Sequence, residues 1–342
     1  MKPSSILRTL SFRIPVRLSA SPAIAPLPII APFDRQATAE LDTLLSPDVI
    51  FHHHWLCHAL NASINTQKIA LESLTNANNV AALYQQDSNR KSIEEYLDDG
   101  NIKLLDSCNE VLEKIEAVQE YVKSLKVVSH LLQEGKFEPS PITLARARNM
   151  LEQTSDVMER RLSKEMKNYR CRSSGWSSFR KLSSRKKLAP DGSTKNHDLG
   201  EFGEILNGSK AVALMVCQIL GLALSSMSSK GCSLATQSQP TMTSWSCSLK
   251  ELQNQVKKES EQKDGKWSST MLSELQETMA LTWELRRQNH IGAKRQREIV
   301  EELNRRCEKL EDEVGILEEG VRDLYRHLVS VRMALLGILS KS

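Results

Sequence analysis

Apolar residues recur along most of the chain in steps of three and four, the spacing of one face of a helix. Between Phe51 and Leu74, the residues Leu56, Leu60, Ile64, Leu71 and Leu74 keep that interval. A second, stronger run puts Leu105, Cys108, Leu112, Ile115, Val122, Leu125 and Leu132 on one face, with Gly135 placed to end the helix. Ser140 as N-cap and Pro141 as first helical residue start the next helix, which is lined by Leu144, Leu151, Met158 and Leu162. Further helices are expected near Leu249 and from Ser268 to Gln288. The clearest pattern is the last. Val300, Leu303, Cys307, Leu310, Val314, Leu317, Val321, Leu324, Leu328, Val331, Leu335 and Ile338 form a sustained coiled-coil-like seam. No stretch alternates in steps of two between turn residues, so no strand is expected. The fold class is all-α, an elongated multi-helix bundle.

Two segments break the periodicity. In "KNYRCRSSGWSSFRKLSSRKKLAP" the bases Lys167, Arg170, Arg172, Arg180, Lys181, Arg185, Lys186 and Lys187 alternate with serines, and no acid appears. Then "KAVALMVCQILGLALSSMSSK", Lys210 to Lys230, encloses nineteen uncharged residues. As a helix these span about 28 Å, against a hydrocarbon core of roughly 30 Å. The strong apolar contributors sum to roughly −3 kcal/mol at mid-membrane, and Gln218, Gly221 and four serines offset most of it. The segment is therefore either a marginal membrane span or the central helix of a bundle. In a bundle, the Val300–Ile338 seam is the candidate to cover it. Glu313 would face Glu318 in a parallel homodimer, and Gly315, Gly320 and Gly337 weaken an isolated helix. The seam is accordingly expected to pack on earlier helices of the same chain.

These patterns divide the chain into a leader (1–35), an N-terminal helical region (36–166), a basic Ser-rich linker (167–209), the apolar helix (210–230), a polar linker (231–248) and a C-terminal helical region (249–342). The leader carries Lys2, Arg8, Arg13 and Arg17 and no acid before Asp34, the composition of an organelle transit peptide or of a plain tail.

Composition sharpens this only in places. Aromatic residues make up 5% of the chain and the net charge is +4. Seven scattered cysteines without a CxxC pair are the usage of a reduced intracellular protein. The cluster "FHHHWLCH" places His54, Cys57 and His58 for one helical face, but no second cluster completes a zinc site there, and no metal or cofactor is expected. No phosphate-binding loop, zinc-protease or nucleophile-elbow motif occurs, so no catalytic residue is assigned. The basic stretch fits an anionic membrane surface, a charge that serine phosphorylation would cancel. It lacks a recognition helix, and nucleic acid is not an expected partner.

Three stretches resemble the plant BYPASS-related family. They are "KLLDSCNEVLEKIEAV" (Lys103–Val118), the apolar segment behind a basic linker, and "LEEGVRDLYRHLVSVRMALLGILS" (Leu317–Ser340). The likeness runs from about Phe33 to the end, although only "APF" (Ala31–Phe33) remains of the expected "PFGNPF" start. The resemblance implies an all-helical protein of plant development without known enzymatic activity. It also implies restraint of a root-derived mobile signal that arrests shoot growth, exocyst subunits as partners of some relatives, and chloroplast or membrane association. The alternatives are a vesicle-tethering partner and an enzyme of small-molecule signal metabolism.

Overall fold

Ser140 illustrates how local sequence sets the elements. Its hydroxyl accepts the Thr143 N–H at 3.1 Å, and the helix begins at Pro141, whose missing N–H costs nothing there. The computed structural model describes residues 30–45, 50–76, 87–133, 140–172, 200–225, 243–261, 270–287 and 293–340. Among these residues the regular structure is helical and no strand occurs. The helices are α1 (Ile30–Leu44), α2 (His53–Thr75), α3 (Asp87–Glu95), α4 (Asn101–Gln133), α5 (Pro141–Arg172), α6 (Glu201–Ala223), α7 (Ser244–Glu261), α8 (Ser273–Arg287) and α9 (Ala293–Ser340). A π turn, Tyr96–Gly100, joins α3 to α4. The result is an elongated all-α bundle; α9 alone, with 48 residues, is about 72 Å long.

α2 and α4 form the middle of the bundle. Each packs on α6 and also on α9, while α5 covers α4 and α8 lies against α9. α1 sits on α2 and α7, and both α1 and α7 reach α6. All twelve residues of the Val300–Ile338 stripe are buried against helices of the same chain. The expectation that this stripe covers the apolar helix directly is corrected. α2 and α4 stand between α9 and α6, because each has apolar residues on more than one side. On α4, Leu104, Val111, Val118 and Val128 are buried in addition to Cys108, Ile115, Val122 and Leu125.

α6 is enclosed. By length and composition it could cross a membrane, yet 89% of its most apolar window is buried inside the bundle. It starts at Glu201 rather than Lys210, so its first turns carry Glu201, Glu204 and Lys210. Its start is held by Asn89 of α3, whose Oδ1 accepts the Phe202 N–H at 3.3 Å. At its end, the Lys114 ammonium donates to the Gly221 carbonyl at 2.8 Å and to the Ser225 hydroxyl at 3.0 Å. A cation at that position satisfies carbonyls that the helix leaves open and opposes its dipole.

Other boundaries also differ from the reading of the sequence alone. α1 begins at Ile30, inside the expected leader, and Ile30, Phe33 and Asp34 are buried. Pro32 falls in the first turn, where proline is tolerated. α5 runs on to Arg172 and α7 starts at Ser244, each within an expected linker.

Two glycines in helices behave oppositely. A Cβ on Gly208 would lie 2.8 Å from the Phe33 ring and 3.2 Å from Trp245, whereas one on Gly315 would meet nothing within 4 Å. Gly315→Ala should therefore stabilise by up to about 1 kcal/mol through helix propensity alone. Gly208→Ala should lower the melting temperature by at least about 2 °C, because the buried rings must shift. Thermal unfolding of both variants checks this; equal shifts would refute the close packing at Gly208.

Candidate functional site

The chemistry-bearing side chains gather at three places. The first is the joint of α2, α8 and α9. His53 Nε2 lies 3.2 Å from Cys57 Sγ, and His52 Nδ1 lies 3.0 Å from the Ser273 hydroxyl and 3.8 Å from Glu274. Lys309 lies 3.8 Å from Glu274 and 3.5 Å from Glu313. The contact therefore joins His53 to Cys57, at i and i+4, rather than His54, which is exposed, or His58, which lies 3.2 Å from the Thr43 hydroxyl.

The joint is not an activated dyad. Burial, followed by the nearby Glu313 carboxylate, pushes the Cys57 thiol up to about 11. Burial also lowers the His53 imidazole, against the pull of Glu274. A neutral thiol beside a neutral imidazole is not a nucleophile at ordinary pH. Glu313 is raised by burial and by Glu274, so this corner carries more negative charge than Lys309 alone offsets. Among the described residues no group of three or more His, Cys, Asp or Glu is arranged to hold a metal ion.

The second place is the π turn. The Lys210 stem from α6 crosses it: a Cβ on Gly100 would lie 3.2 Å from Lys210 Cδ and 3.1 Å from the Tyr96 ring. Burial lowers the Lys210 ammonium and Asp99 raises it in part. Burial raises the Tyr96 phenol to about 12, and it stays protonated. Asn101 donates to the Leu328 carbonyl at 3.1 Å and Arg332 donates to the Leu97 carbonyl at 2.7 Å, tying α9 to the turn. These groups lock three elements together. A shallow groove between α8 and α9 is lined by Glu277, Leu281, Glu284, Glu302 and Arg306. Its charges are already spent, with Arg306 paired to both Glu277 and Glu302.

The third place is the α4–α6 contact, where the buried thiols of Cys108 and Cys217 meet. Their hydrogen bond and then burial hold Cys217 well above its ordinary range. Sequence reasoning missed the buried Lys114 and Lys210. A lone lysine amid Val111, Ile115 and Val118 was the available signal for the first.

Of the basic residues assigned to a membrane surface, Lys167, Arg170 and Arg172 fall on the last turns of α5. Arg180, Lys181, Arg185, Lys186 and Lys187 lie outside the described residues. The seam residues are consumed by internal packing. What α9 leaves outward is different: Val329 is 37% exposed, Met333 64% and Leu336 42%, a stripe at i, i+4 and i+7 near its end.

Long helices and side chains that lock them together define a helical-bundle protein, and no catalytic set is assembled among the described residues. The chain belongs to the family described as Protein BPS1, whose model matches residues 69–338. This establishes the BYPASS-related resemblance; the family is one of plant developmental regulators and not a known enzyme family. Neither a curated protein nor a solved structure matches the chain.

The thiol assignments have a direct check. With Cys57 raised to about 11, roughly one molecule in a thousand carries its thiolate at pH 8. Iodoacetamide at that pH should modify the exposed Cys247 at least about tenfold faster than Cys57 in the folded protein. Unfolding in urea should remove the difference. Preferential modification of Cys57 would mean an activated thiol and reopen catalysis.

Proposed function

We propose that this protein is a non-enzymatic adaptor of plant development that acts through helix-to-helix contacts with other proteins. In the manner implied by its BYPASS-like sequence, it restrains a root-derived mobile signal that arrests shoot growth. The observation that carries this reading is the outward Val329–Met333–Leu336 stripe. α9 already spends one complete apolar face on the bundle, and among the described residues no helix covers this second face at its C-terminal end. Exocyst subunits are the partner class that the resemblance offers, which makes vesicle tethering the second form of the same reading. Cytoplasm, membrane surface and chloroplast are the compartments consistent with it.

Replacing Val329 and Met333 together by Glu should leave folding intact, since both are exposed, and should deplete co-purified partners from plant tissue at least about tenfold. Equal recovery by the double variant would remove this face from the reading. Turnover of a small metabolite by the pure protein would replace the adaptor with an enzyme.

A weak contact between the Lys167–Lys187 segment and anionic lipid belongs to the same proposal. Each basic residue near the headgroups contributes about 1 kcal/mol, screened over about 8 Å at physiological salt. Flotation with phosphatidylserine vesicles should fall when Arg185, Lys186 and Lys187 become Gln, and should fall for the unaltered protein as salt rises. Flotation indifferent to both changes would end the electrostatic idea.

A further inference from the structure

α7 is attached to the protein along one narrow stripe. Trp245, Ser248, Leu249, Leu252 and Val256 are buried, while Cys247, Lys250, Glu251, Asn254 and Lys257 between them are exposed. The stripe lies in a groove whose walls are α1 and α6, and among the described residues no other helix packs extensively on it. The groove narrows at Gly208, where Phe33 and Trp245 both approach α6 within the space of a missing Cβ.

The groove is built to hold the start of a helix. Asp34 Oδ1 accepts the Trp245 backbone N–H at 3.0 Å, and Asp42 Oδ1 accepts the Ser248 hydroxyl at 2.7 Å. A buried carboxylate facing the first N–H groups of a helix satisfies an open donor and complements the positive end of the helix dipole. Glu204 adds to the acidic edge, and its carboxyl is held above the usual range by burial and then by Asp34.

α7 itself fits this groove imperfectly. Docked there, it leaves Trp245 Nε1 and Thr243 Oγ1 buried without hydrogen-bond partners. Both groups are hydrated once α7 leaves, and undocking also lets water separate the carboxylates of Asp34 and Glu204. A buried donor without an acceptor disfavours the docked state. An element held by one stripe, with unmet polar groups, belongs to the low-stability end of a structure.

We propose that α7 is an exchangeable occupant of the α1–α6 groove, and that an amphipathic helix of a partner protein takes its place there. Such a helix carries an aromatic residue in its first turn and apolar residues four, seven and eleven positions later, and it brings its N-terminus to Asp34. This rests on the adaptor reading for its biological use but on a different surface, so either can fail alone.

The probe is a fluorescein-labelled peptide of residues 243–261, titrated into the full-length chain. Unaltered protein should bind it weakly, because its groove is filled and apparent affinity falls with the vacant fraction. Leu252→Asp in the chain should displace α7 and tighten peptide binding at least about tenfold, and adding Asp34→Asn should weaken it again. Equal binding to both chains, or equal binding of a scrambled peptide, overturns the proposal. Hydrogen exchange of the unaltered protein supplies an independent arm that needs no folded variant. The α7 amides should exchange at least about tenfold faster than those in the middle of α4 and α9, and exchange as slow as theirs overturns the proposal as well.

Discussion

A helix that is apolar on every side has to be enclosed on every side, and α6 imposes that requirement on the rest of the chain. Its residues from Phe202 to Leu224 are almost all buried. Four kinds of contact meet the demand: α2 and α4 as walls, α3 at the start, α1 and α7 along the edge, and a lysine at the end. The Lys114 ammonium is the least expected of these, since an amine buried in a core is costly unless its protons are used. Its bonds to the Gly221 carbonyl and the Ser225 hydroxyl use them, at the point where the α6 carbonyls run out of intrahelical donors. The same requirement explains why α2 and α4 carry apolar residues on several sides, because each must serve α6 while also supporting α9.

Much of this architecture could be read from residue order. The three-and-four spacing located α2, α4, α5 and α9, and the Ser140–Pro141 start was correct to the residue. The unbroken stripe from Val300 to Ile338 was buried where its own pattern said it would be. What could not be read was which helix covers which. Periodicity says that a face is buried and does not name the neighbour, so α9 was matched to α6 when two helices stand between them. Periodicity also fails where two faces are buried at once: on α4 the residues Val111, Val118 and Val128 fell outside the stripe chosen first. Pro32 hid the start of α1 for a different reason, since a first-turn proline and a linker proline look alike in sequence.

The candidate site was harder still. The basic segment announced itself by composition, but composition gives an electrostatic capacity rather than a geometry. The histidine-rich start of α2 gathered Glu274, Lys309 and Glu313 from helices more than two hundred residues away, pairings that no local motif encodes. Conversely, no motif marks Asp34 and Asp42 in the sequence, and they anchor a distant helix through Trp245 and Ser248. Buried carboxylates and amines described in this fold mostly join elements.

The order of elements along the chain bears on how such a protein is made. α2, α3 and α4 leave the ribosome before α6 does, so the apolar helix emerges beside walls that already exist. Synthesis at roughly 5–20 residues per second leaves seconds for those walls to pair before α6 appears. α9 comes last and closes the far side of the same two walls. A chain rearranged to translate α6 first would show the cell a helix of membrane length and hydropathy with nothing to hide it. Order of synthesis, as much as final packing, determines which surfaces this helix meets first.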